Sequence, residues 1–350
     1  MAEKKKAVVI LTPGFAKNEQ DTTCIPVLQQ YVSTFSALRP DIKVYVIAFQ
    51  YPSNNKGWYK WNGVDIYSAG GKPGLYSRFF TWRSVLKELK GITKQNNIAV
   101  IHSYWLTECT FIGQRFARKH NIKHIAYAIG QDVLKSNKYL RLLNFSRMQV
   151  VAMSESIVNR YSDLTNRSIA AIIPAGIDIK SISLDTEPRI IDIIGVGALT
   201  QLKNYSFFVE IIAELKKDIS DIKAVIIGKG EQGQLLQEQI KNADIERNIQ
   251  LIGEKPHNEI FSYMNRSKIF LHTSSYEGQS TVIMEAISLG LPVVCFDVGR
   301  VDNEKIKVCK DKDQMVSNLR QLLSQKIDYG PAIVFTTEDT VREFIKLYNI

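Results

Sequence analysis

The stretch LHTSSYEGQSTVIMEAISLGLPVV, Leu271–Val294, contains a strand–loop–helix–strand pattern. An apolar strand (Ile269–Leu271) leads into a short polar loop, an amphipathic helix follows, and Gly-Leu-Pro precedes a second apolar strand. Glu277 lies in the loop, and Glu285 is expected about two turns into the helix. The pattern predicts part of a parallel α/β sheet with acidic side chains after the carboxyl end of a strand.

The start of this helix is a candidate binding site. Its backbone N–H groups, from Gln279 to Val282, are expected to be free, and the helix dipole favours an anion there. Carboxylates accept hydrogen bonds from hydroxyls, so the combination suits a sugar nucleotide. We assign Ser280, Thr281 and Val282 to phosphate, Glu277 to a transferred sugar and Glu285 to the ribose. A solvated loop glutamate and a helix-start glutamate are the alternative for an isolated pair with this spacing.

Apolar runs alternate with helical patterns along the rest of the chain. Further buried strands are predicted at residues 7–11, 43–48, 99–102, 124–128, 149–153, 170–173, 190–196, 224–227, 249–252 and 293–296. This alternation predicts parallel sheets with helices on both faces, and 350 residues suffice for two domains. We predict an α/β chain of two Rossmann-like domains, residues 1–178 and 185–335. Their parallel sheets would face a central cleft, and the linker would lie near Gly176–Pro188.

Composition narrows the class of protein. The 45% hydrophobic and 23% charged content is typical of a globular protein, and no apolar run approaches the roughly 20 residues of a membrane helix. Four scattered cysteines indicate a reducing cytoplasm, and no cluster of Cys and His predicts a metal site. Residues 1–180 contain 25 basic and 11 acidic side chains, whereas residues 181–350 contain 20 and 24. Without a nucleic-acid-binding motif, the basic half fits an anionic membrane or a lipid-linked acceptor better than nucleic acid.

Several segments resemble family 4 glycosyltransferases (glycosyl transferases group 1), which have the twin Rossmann-like GT-B fold. Residues 277–286 resemble the family's donor motif Glu-Gly-x-Gly/Ser-x-x-x-x-Glu-Ala, and residues 196–204 resemble its diphosphate loop. Residues 151–154 and 173–178 resemble the family's domain junction. Residues 249–253 and 290–294 also resemble family segments and complete the pattern. The resemblance implies sugar transfer from a nucleotide-sugar donor to an acceptor hydroxyl, with retained configuration and without a metal or other cofactor. It also implies that a last helix, residues 338–350, packs back on the first domain.

The resemblance assigns further donor-site residues. Lys203 would neutralise the departing diphosphate and, with Glu277 and His102, form the catalytic set. Gly228 and Gly253 would lie in loops beside the donor nucleotide. The family usually has an arginine where this chain has Ala198. Either Lys203 and the helix N–H groups suffice for the phosphates, or another cation such as Lys229 substitutes.

Two candidate residues follow strands in the N-terminal half. Gly14, in Thr12-Pro-Gly-Phe15, would let the backbone approach the donor closely, with an ordinary turn as the alternative. His102 matches the first histidine of a family His-x-His pattern. It is expected to bond the donor sugar or orient the acceptor, unless it is a hydrogen-bonded core histidine. Asp132 follows Ile129, where the family has histidine, and is interpreted as a cap.

Two patterns imitate other sites. Residues 228–233 have the form G-x-G-x-x-G, but they follow the second strand of their half, so no nicotinamide cofactor is predicted. Asp311-Lys-Asp313 imitates a metal-binding Asp-x-Asp. Because a helix is predicted from about Gln314, we interpret this segment as an N-terminal cap.

The segment from Tyr51 to Arg83 combines nine aromatic and five basic side chains with one acid. Glycines make the first part loop-like, so one interpretation is a long loop packed on its own aromatic rings. The other is an acceptor site that touches lipid head groups, since amphipathic rings and cations favour that interface. The protein is predicted to be cytoplasmic, and under the second hypothesis it also contacts the inner face of the membrane peripherally.

The sequence therefore predicts a glycosyltransferase of hexosyltransferase type in cell-surface polysaccharide or glycolipid synthesis. Its partners would be a nucleotide-sugar donor and a carbohydrate or lipid-linked saccharide acceptor. Two alternatives stay open. One is an epimerase or hydrolase of sugar nucleotides with a related fold, and the other is a nucleotide-sugar binding protein without catalysis.

Overall fold

The computed structural model describes residues 4–72, 74–178, 188–299, 303–332 and 334–350, so most of the predicted linker lies outside the described residues. The chain forms two compact units. Unit 1 comprises residues 1–176 and 335–350, and unit 2 comprises residues 177–334. Each unit has its own sheet covered by helices, which confirms the predicted α/β class with two parallel-sheet domains.

Unit 1 contains an eight-stranded sheet in the order β3-β4-β2-β1-β5-β6-β7-β8. Its strands are β1 (Lys6–Gly14), β2 (Lys43–Tyr51), β3 (Gly57–Trp61), β4 (Val64–Ser68), β5 (Asn97–Tyr104), β6 (Lys123–Ala128), β7 (Gln149–Ala152) and β8 (Ala171–Ile172). Its helices are α1 (Pro26–Leu38), α2 (Leu75–Gln95), α3 (Glu108–His120), α4 (Glu155–Thr165) and the last helix of the chain, α10 (Thr337–Tyr348). All neighbouring strands are parallel except β3, which pairs antiparallel with β4.

The centre of unit 1 is β1, whose residues 7–11 are fully buried because side chains pack against both faces of the sheet. The helix α10 contributes to this core. The Tyr348 hydroxyl lies 2.6 Å from the Tyr31 hydroxyl on α1 and 2.5 Å from Nδ1 of His102 on β5. A capping box between Thr336 and Asp339 fixes the start of α10.

Unit 2 contains a six-stranded parallel sheet. Its strands are β9 (Ile191–Val196), β10 (Ala224–Ile227), β11 (Ile249–Gly253), β12 (Ser267–His272), β13 (Val293–Phe296) and β14 (Ile306–Cys309). Its helices are α5 (Tyr205–Lys216), α6 (Gly233–Asn242), α7 (His257–Asn265), α8 (Thr281–Ser288) and α9 (Lys312–Ser324). The strand order β11-β10-β9-β12-β13-β14 is that of a dinucleotide-binding sheet. The order reverses between β9 and β12, which opens a crevice at the carboxyl ends of those two strands.

Two local predictions have clear outcomes. The aromatic segment at residues 51–83 is not a long loop, because β3 and β4 form a hairpin there and add two strands to the edge of the sheet. Trp61 and Tyr67 from this hairpin are buried in the core. The cap at Asp311 is confirmed, because its carboxylate accepts a hydrogen bond from the Gln314 N–H at 2.9 Å and α9 begins at Lys312.

Candidate active site in unit 2

The candidate site lies at the crevice of unit 2, between the loops that follow β9 and β12. The Leu202 carbonyl accepts a hydrogen bond from the Ser275 N–H at 2.8 Å, and the Lys203 carbonyl accepts one from the Thr273 hydroxyl at 2.9 Å. These bonds join the two loops, so the position of Lys203 depends on the loop after β12.

Lys203 and Glu277 form an ion pair in this crevice. Their side chains are 24% and 17% exposed, so the pair is partly shielded from water but open on one side. Glu277 Oε1 also accepts a hydrogen bond from the Ser274 hydroxyl at 3.1 Å. The structure therefore brings together two of the three predicted catalytic residues, one cation and one carboxylate.

Electrostatics keep Glu277 ionised. Burial raises its pKa, but His272 Nε2, 3.5 Å away, and the Lys203 ammonium outweigh burial and lower the pKa to about 2. A carboxylate in this state has no proton to give. It can accept hydrogen bonds from hydroxyl groups and balance a nearby positive charge.

His272, the last residue of β12, was not predicted as a site residue. It is almost fully buried, and its Nε2 lies 3.2 Å from the hydroxyls of both Ser274 and Ser280. Burial lowers its pKa, so the ring is neutral at neutral pH, and its Nδ1 has no hydrogen-bond partner among the residues described. His272 thus connects Glu277 to the residue that precedes α8. The local sequence around His272 contains no pattern that indicates this role.

The N-terminus of α8 faces the same crevice. The backbone N–H groups of Thr281 and Val282 have no acceptor among the residues that the structure describes. The prediction that the Ser280 N–H is free is wrong, because this group donates a hydrogen bond to the Gly299 carbonyl at 2.7 Å. Two open N–H groups at a helix start attract an anion.

Glu285 lies in the second turn of α8, closer to the helix start than predicted, because α8 begins only at Thr281. Its carboxylate is paired with Nε2 of His257, the first residue of α7, at 2.9 Å. The hydrogen bond to Glu285 raises the pKa of His257. His257 was not predicted as a site residue, since nothing in its local pattern indicates that α7 packs beside α8.

Glycines allow the loops around the crevice to approach closely. Gly299 has φ +61°, and a Cβ atom there would collide with the Cβ of Glu277. At Gly228 a Cβ would collide with the Gly197 carbonyl, so the loops after β9 and β10 touch through their backbones. The Gly228 N–H donates to the carbonyl of Gly253 at 2.9 Å, and open space adjoins Gly253. Both predicted nucleotide-loop glycines therefore belong to one cluster of loops.

The predicted residues of unit 1 lie elsewhere in the fold. His102 is fully buried among aromatic rings, and burial lowers its pKa to about 3. This environment matches the core-histidine alternative, because the ring has no access to solvent, and we leave His102 out of the catalytic set. Gly14 ends β1 and packs against Tyr51 and Cys24, which is the environment of a close turn. Asp132 accepts backbone N–H bonds from Leu106, Ile129 and Gly130, which all precede it in the chain. A helix cap accepts from residues that follow it, so the cap interpretation is wrong, and Asp132 instead links the segments after β5 and β6.

No group of three or more His, Cys, Asp and Glu side chains suited to a metal ion occurs within the described ranges. Among those same ranges we also find no helix with the length and apolar character needed to span a bilayer.

Comparison with known proteins agrees with this architecture. Residues 178–327 match the family model described as Glycosyl transferases group 1. One component of the phosphatidylinositol N-acetylglucosaminyltransferase of Arabidopsis thaliana is 25% identical over 302 residues, which cover 81% of this chain and 67% of the relative. A glycosyltransferase structure from Rickettsia africae has a TM-score of 0.75 at 14% identity and covers 98% of each chain. The Anabaena protein HepE in complex with UDP has a TM-score of 0.67 at 15% identity, covering 97% of this chain and 95% of its own.

Other curated relatives align over shorter regions. A glycosyltransferase of Methanocaldococcus jannaschii is 29% identical over 136 residues, so the alignment spans 39% of this chain and only 30% of that relative. The matched family region contains the whole crevice of unit 2, including Lys203, Glu277 and Glu285. Residues 178–327 therefore resemble the group 1 glycosyltransferases, and the two-unit α/β fold matches that of solved glycosyltransferase structures.

Proposed function

We propose that this protein transfers a sugar from a nucleotide-sugar donor to an acceptor hydroxyl, with retention of configuration and without a metal ion. The observation that carries the proposal is the Lys203–Glu277 pair beside the open start of α8. Lys203 and the N–H groups of Thr281 and Val282 would bind the diphosphate and stabilise the negative charge that develops as it leaves. A protein cation in that position performs the role that a divalent metal has in other transferases.

The two carboxylates have separate roles in this proposal. Glu277, held ionised by His272 and Lys203, would accept hydrogen bonds from hydroxyls of the transferred sugar. Glu285, oriented by His257, would accept hydrogen bonds from the ribose. UDP is the first nucleotide to test, because the structural neighbour HepE was solved with it. Retention of configuration is proposed from the resemblance to family 4.

One experiment separates the transferase from its alternatives. Nucleotide sugars are incubated with the protein in EDTA, first alone and then with saccharide acceptors, and all products are identified by NMR. A new glycoside with the donor's anomeric configuration, formed only with acceptor, supports the proposal. Epimerisation or rapid cleavage without acceptor would identify the related sugar-nucleotide enzyme instead.

The remaining outcomes of this assay test catalysis, metal independence and retention of configuration separately. Nucleotide binding without turnover of any donor would support the non-catalytic alternative that Ala198 suggests. Activity that disappears in EDTA and returns with magnesium or manganese would contradict metal independence. An inverted product would contradict retention while leaving transfer itself intact.

We also propose that unit 1 contacts an anionic membrane on its cytoplasmic side, consistent with a glycolipid or lipid-linked acceptor. The support is one exposed stripe of α2, formed by residues at helical spacing. The stripe consists of Tyr76, Phe79, Phe80, Arg83, Lys87 and Lys90, all exposed. Its three aromatic rings are 89%, 60% and 65% exposed, and cations follow them on the same face. Aromatic rings beside cations favour the interface of an anionic bilayer.

Sedimentation with vesicles tests this stripe. Wild-type protein should pellet with phosphatidylserine vesicles at low salt and less as salt rises, because salt screens the attraction. Phe79→Ser with Phe80→Ser should reduce pelleting strongly, whereas Leu235→Ser, which changes an exposed apolar residue of α6, should not. Pelleting that is absent at low salt, or equal in all three proteins, would end the membrane proposal without affecting the transferase proposal.

A further inference from the structure

Unit 1 contains a pocket that the proposed donor site does not explain. Its volume is about 390 Å³, within the size range of small-molecule sites. Its walls come from the carboxyl ends of β1 and β2 and from the segments after β5 and β6, with one residue from α2. The lining residues include Arg78, Trp105, Glu108, Asp132, Asn137 and Tyr139. The strand order of unit 1 reverses between β1 and β5, so the pocket lies where open parallel sheets bind ligands.

The floor of the pocket is fixed by hydrogen bonds. Asp132 accepts from the N–H groups of Leu106, Ile129 and Gly130. The Asn137 amide donates to the carbonyls of Leu106 and Asp132 at 2.9 and 2.7 Å. These bonds join the segment after β5 to the segment after β6. The pocket is therefore preformed, and a ligand need not order it.

Trp105 lies in this wall with a strained backbone. Its φ of +64° is in the left-handed region, which a bulky side chain rarely adopts. Two bonds hold it there, since its N–H donates to the Tyr127 carbonyl and its carbonyl accepts from the Thr110 hydroxyl. Strain of this kind is concentrated at ligand sites, where it positions a side chain.

The pocket also contains a buried carboxylate without a cation. Glu108 is 5% exposed, and its two oxygens accept one bond each from the Gln50 amide and the Trp82 indole. No Lys or Arg is paired with Glu108 among the described residues. A carboxylate has about four acceptor positions, so Glu108 keeps capacity for hydroxyl donors.

Arg78 brings a positive charge to the rim. It is exposed on α2 and forms no ion pair with any described residue. Tyr139 interacts with both charges. Burial is the largest cause of its raised pKa, and Glu108 raises this pKa further whereas Arg78 lowers it. The pocket thus offers a hydroxyl acceptor inside, a cation at the rim and an indole in the wall.

We propose that this pocket binds a pyranose that carries a phosphate ester. The ring would lie against Trp105, a ring hydroxyl would donate to Glu108, and the phosphate would contact Arg78. The role of this sugar as the acceptor rests on the proposed transferase function, whereas its binding does not. Soluble sugar phosphates and lipid-linked sugars share this chemistry.

Ligand-observed NMR on the full chain with saturating UDP tests the binding. The probes are the 1-phosphates and the methyl glycosides of glucose, galactose and N-acetylglucosamine, with inorganic phosphate alone as a further probe. At least one sugar phosphate should bind, about tenfold or more tightly than its methyl glycoside, because a charged hydrogen bond is lost in the glycoside. Inorganic phosphate that binds as well as the sugar phosphate would overturn the sugar half of the inference.

Variants assign the contacts. Arg78→Gln should remove the preference for the phosphate, whereas Arg118→Gln, which changes an exposed arginine near the end of α3, should leave it unchanged. Glu108→Gln keeps the side-chain shape and should weaken both sugar probes about tenfold. Because Glu108 is buried, its variant is first checked for an unchanged thermal transition, and the exposed Arg78 provides an independent test.

Further outcomes separate this inference from the transferase proposal. No binding by any sugar probe, or equal binding by wild type and Arg78→Gln, would overturn the pocket assignment while donor turnover persists. Displacement of the sugar probe by UDP would locate it at the donor site and would also overturn the assignment. Binding of a sugar probe without turnover of any nucleotide sugar would support the pocket assignment and refute the transferase proposal. A synthetic lipid-linked sugar diphosphate that binds more tightly than the free sugar phosphate would identify the lipid source.

Discussion

Replacing Lys203 by alanine should remove most donor turnover and leave the backbone of the crevice unchanged. The Lys203 side chain is paired with Glu277, but the loop is held by main-chain bonds that alanine retains. The Thr273 hydroxyl still donates to the carbonyl of residue 203, and the Ser275 N–H still donates to Leu202. The substitution therefore deletes a charge without deleting the loop contacts.

The size of the effect follows from the charge that is lost. Removing one partner of a developing transition-state charge costs on the order of 100-fold to 1,000-fold in kcat, about 2.7–4 kcal/mol. Stability should also fall. The pKa of Glu277 is about 2 in the folded chain against an ordinary 4.5, a difference equivalent to roughly 3 kcal/mol. His272 and Lys203 share this stabilisation, so losing Lys203 alone should cost about 1–2 kcal/mol at neutral pH.

The pH dependence has a definite sign. Because the folded-state pKa of Glu277 lies below its unfolded value, the stabilisation is complete above about pH 4.5 and is lost as the pH falls towards 2. The unfolding free energies of wild type and Lys203→Ala should therefore differ at pH 7 and converge in acid. Chemical denaturation followed by circular dichroism at several pH values measures this difference.

A matched control for Lys203→Ala exists in β9 and β12, the two strands that precede the loops of the crevice. Asp192, near the start of β9, is paired with Lys268, near the start of β12, at 2.8 Å. Lys268→Ala deletes a similar ion pair at the amino ends of these strands, away from the crevice. Because no transition-state charge develops there, the variant should keep kcat within about twofold of wild type. Rates are measured as nucleotide release from the donor in EDTA. If Lys203→Ala retains more than a third of the wild-type kcat, or if Lys268→Ala loses as much, Lys203 does not stabilise the leaving group.

Three further predictions concern other parts of the fold. Glu285→Ala should weaken binding of free UDP about tenfold or more by calorimetry, because the ribose loses a charged acceptor; unchanged affinity would refute the ribose assignment. Gly299→Ala should lower both turnover and the thermal transition, since φ +61° and the Glu277 Cβ both oppose a side chain; a wild-type melting curve would contradict this. Tyr348→Phe should lower the unfolding free energy of unit 1 by about 1–2 kcal/mol, because Tyr31 and His102 lose a buried partner, and denaturation measures it.

The main sheets could be predicted because their central strands are continuous apolar runs. Residues 7–11 and 224–227 are buried on both faces, and such runs have no other stable location. Edge strands give a weaker signal. The strand β14 is a short edge strand with two exposed residues, Lys307 and Val308, and it was missed. The hairpin β3–β4 was also missed, although its turn has Asn62 and Gly63 at φ 44° and 79°, a recognised hairpin pair.

The candidate site was only partly predictable, for a different physical reason. Glu277, Glu285 and Lys203 belong to local patterns at strand ends and helix starts, which the sequence displays directly. His272, His257 and Gly299 act through contacts between segments, and no local pattern reports which way their side chains point. His102 also follows this rule. Its position at a strand end predicted a site residue, whereas the aromatic rings around it come from distant segments.

The packing of α10 on α1 has a consequence for how the protein is made. Residues 337–348 supply Phe344 and Tyr348 to the core of unit 1, yet they are translated after all of unit 2. On the ribosome, unit 2 can therefore complete its core while unit 1 still exposes Tyr31, Phe35 and Tyr104. Domains fold as units during synthesis, and exposed apolar surface favours aggregation. Unit 1 can therefore complete its core only after residues 337–348 have been synthesised, when the whole sequence of unit 2 is already available for folding.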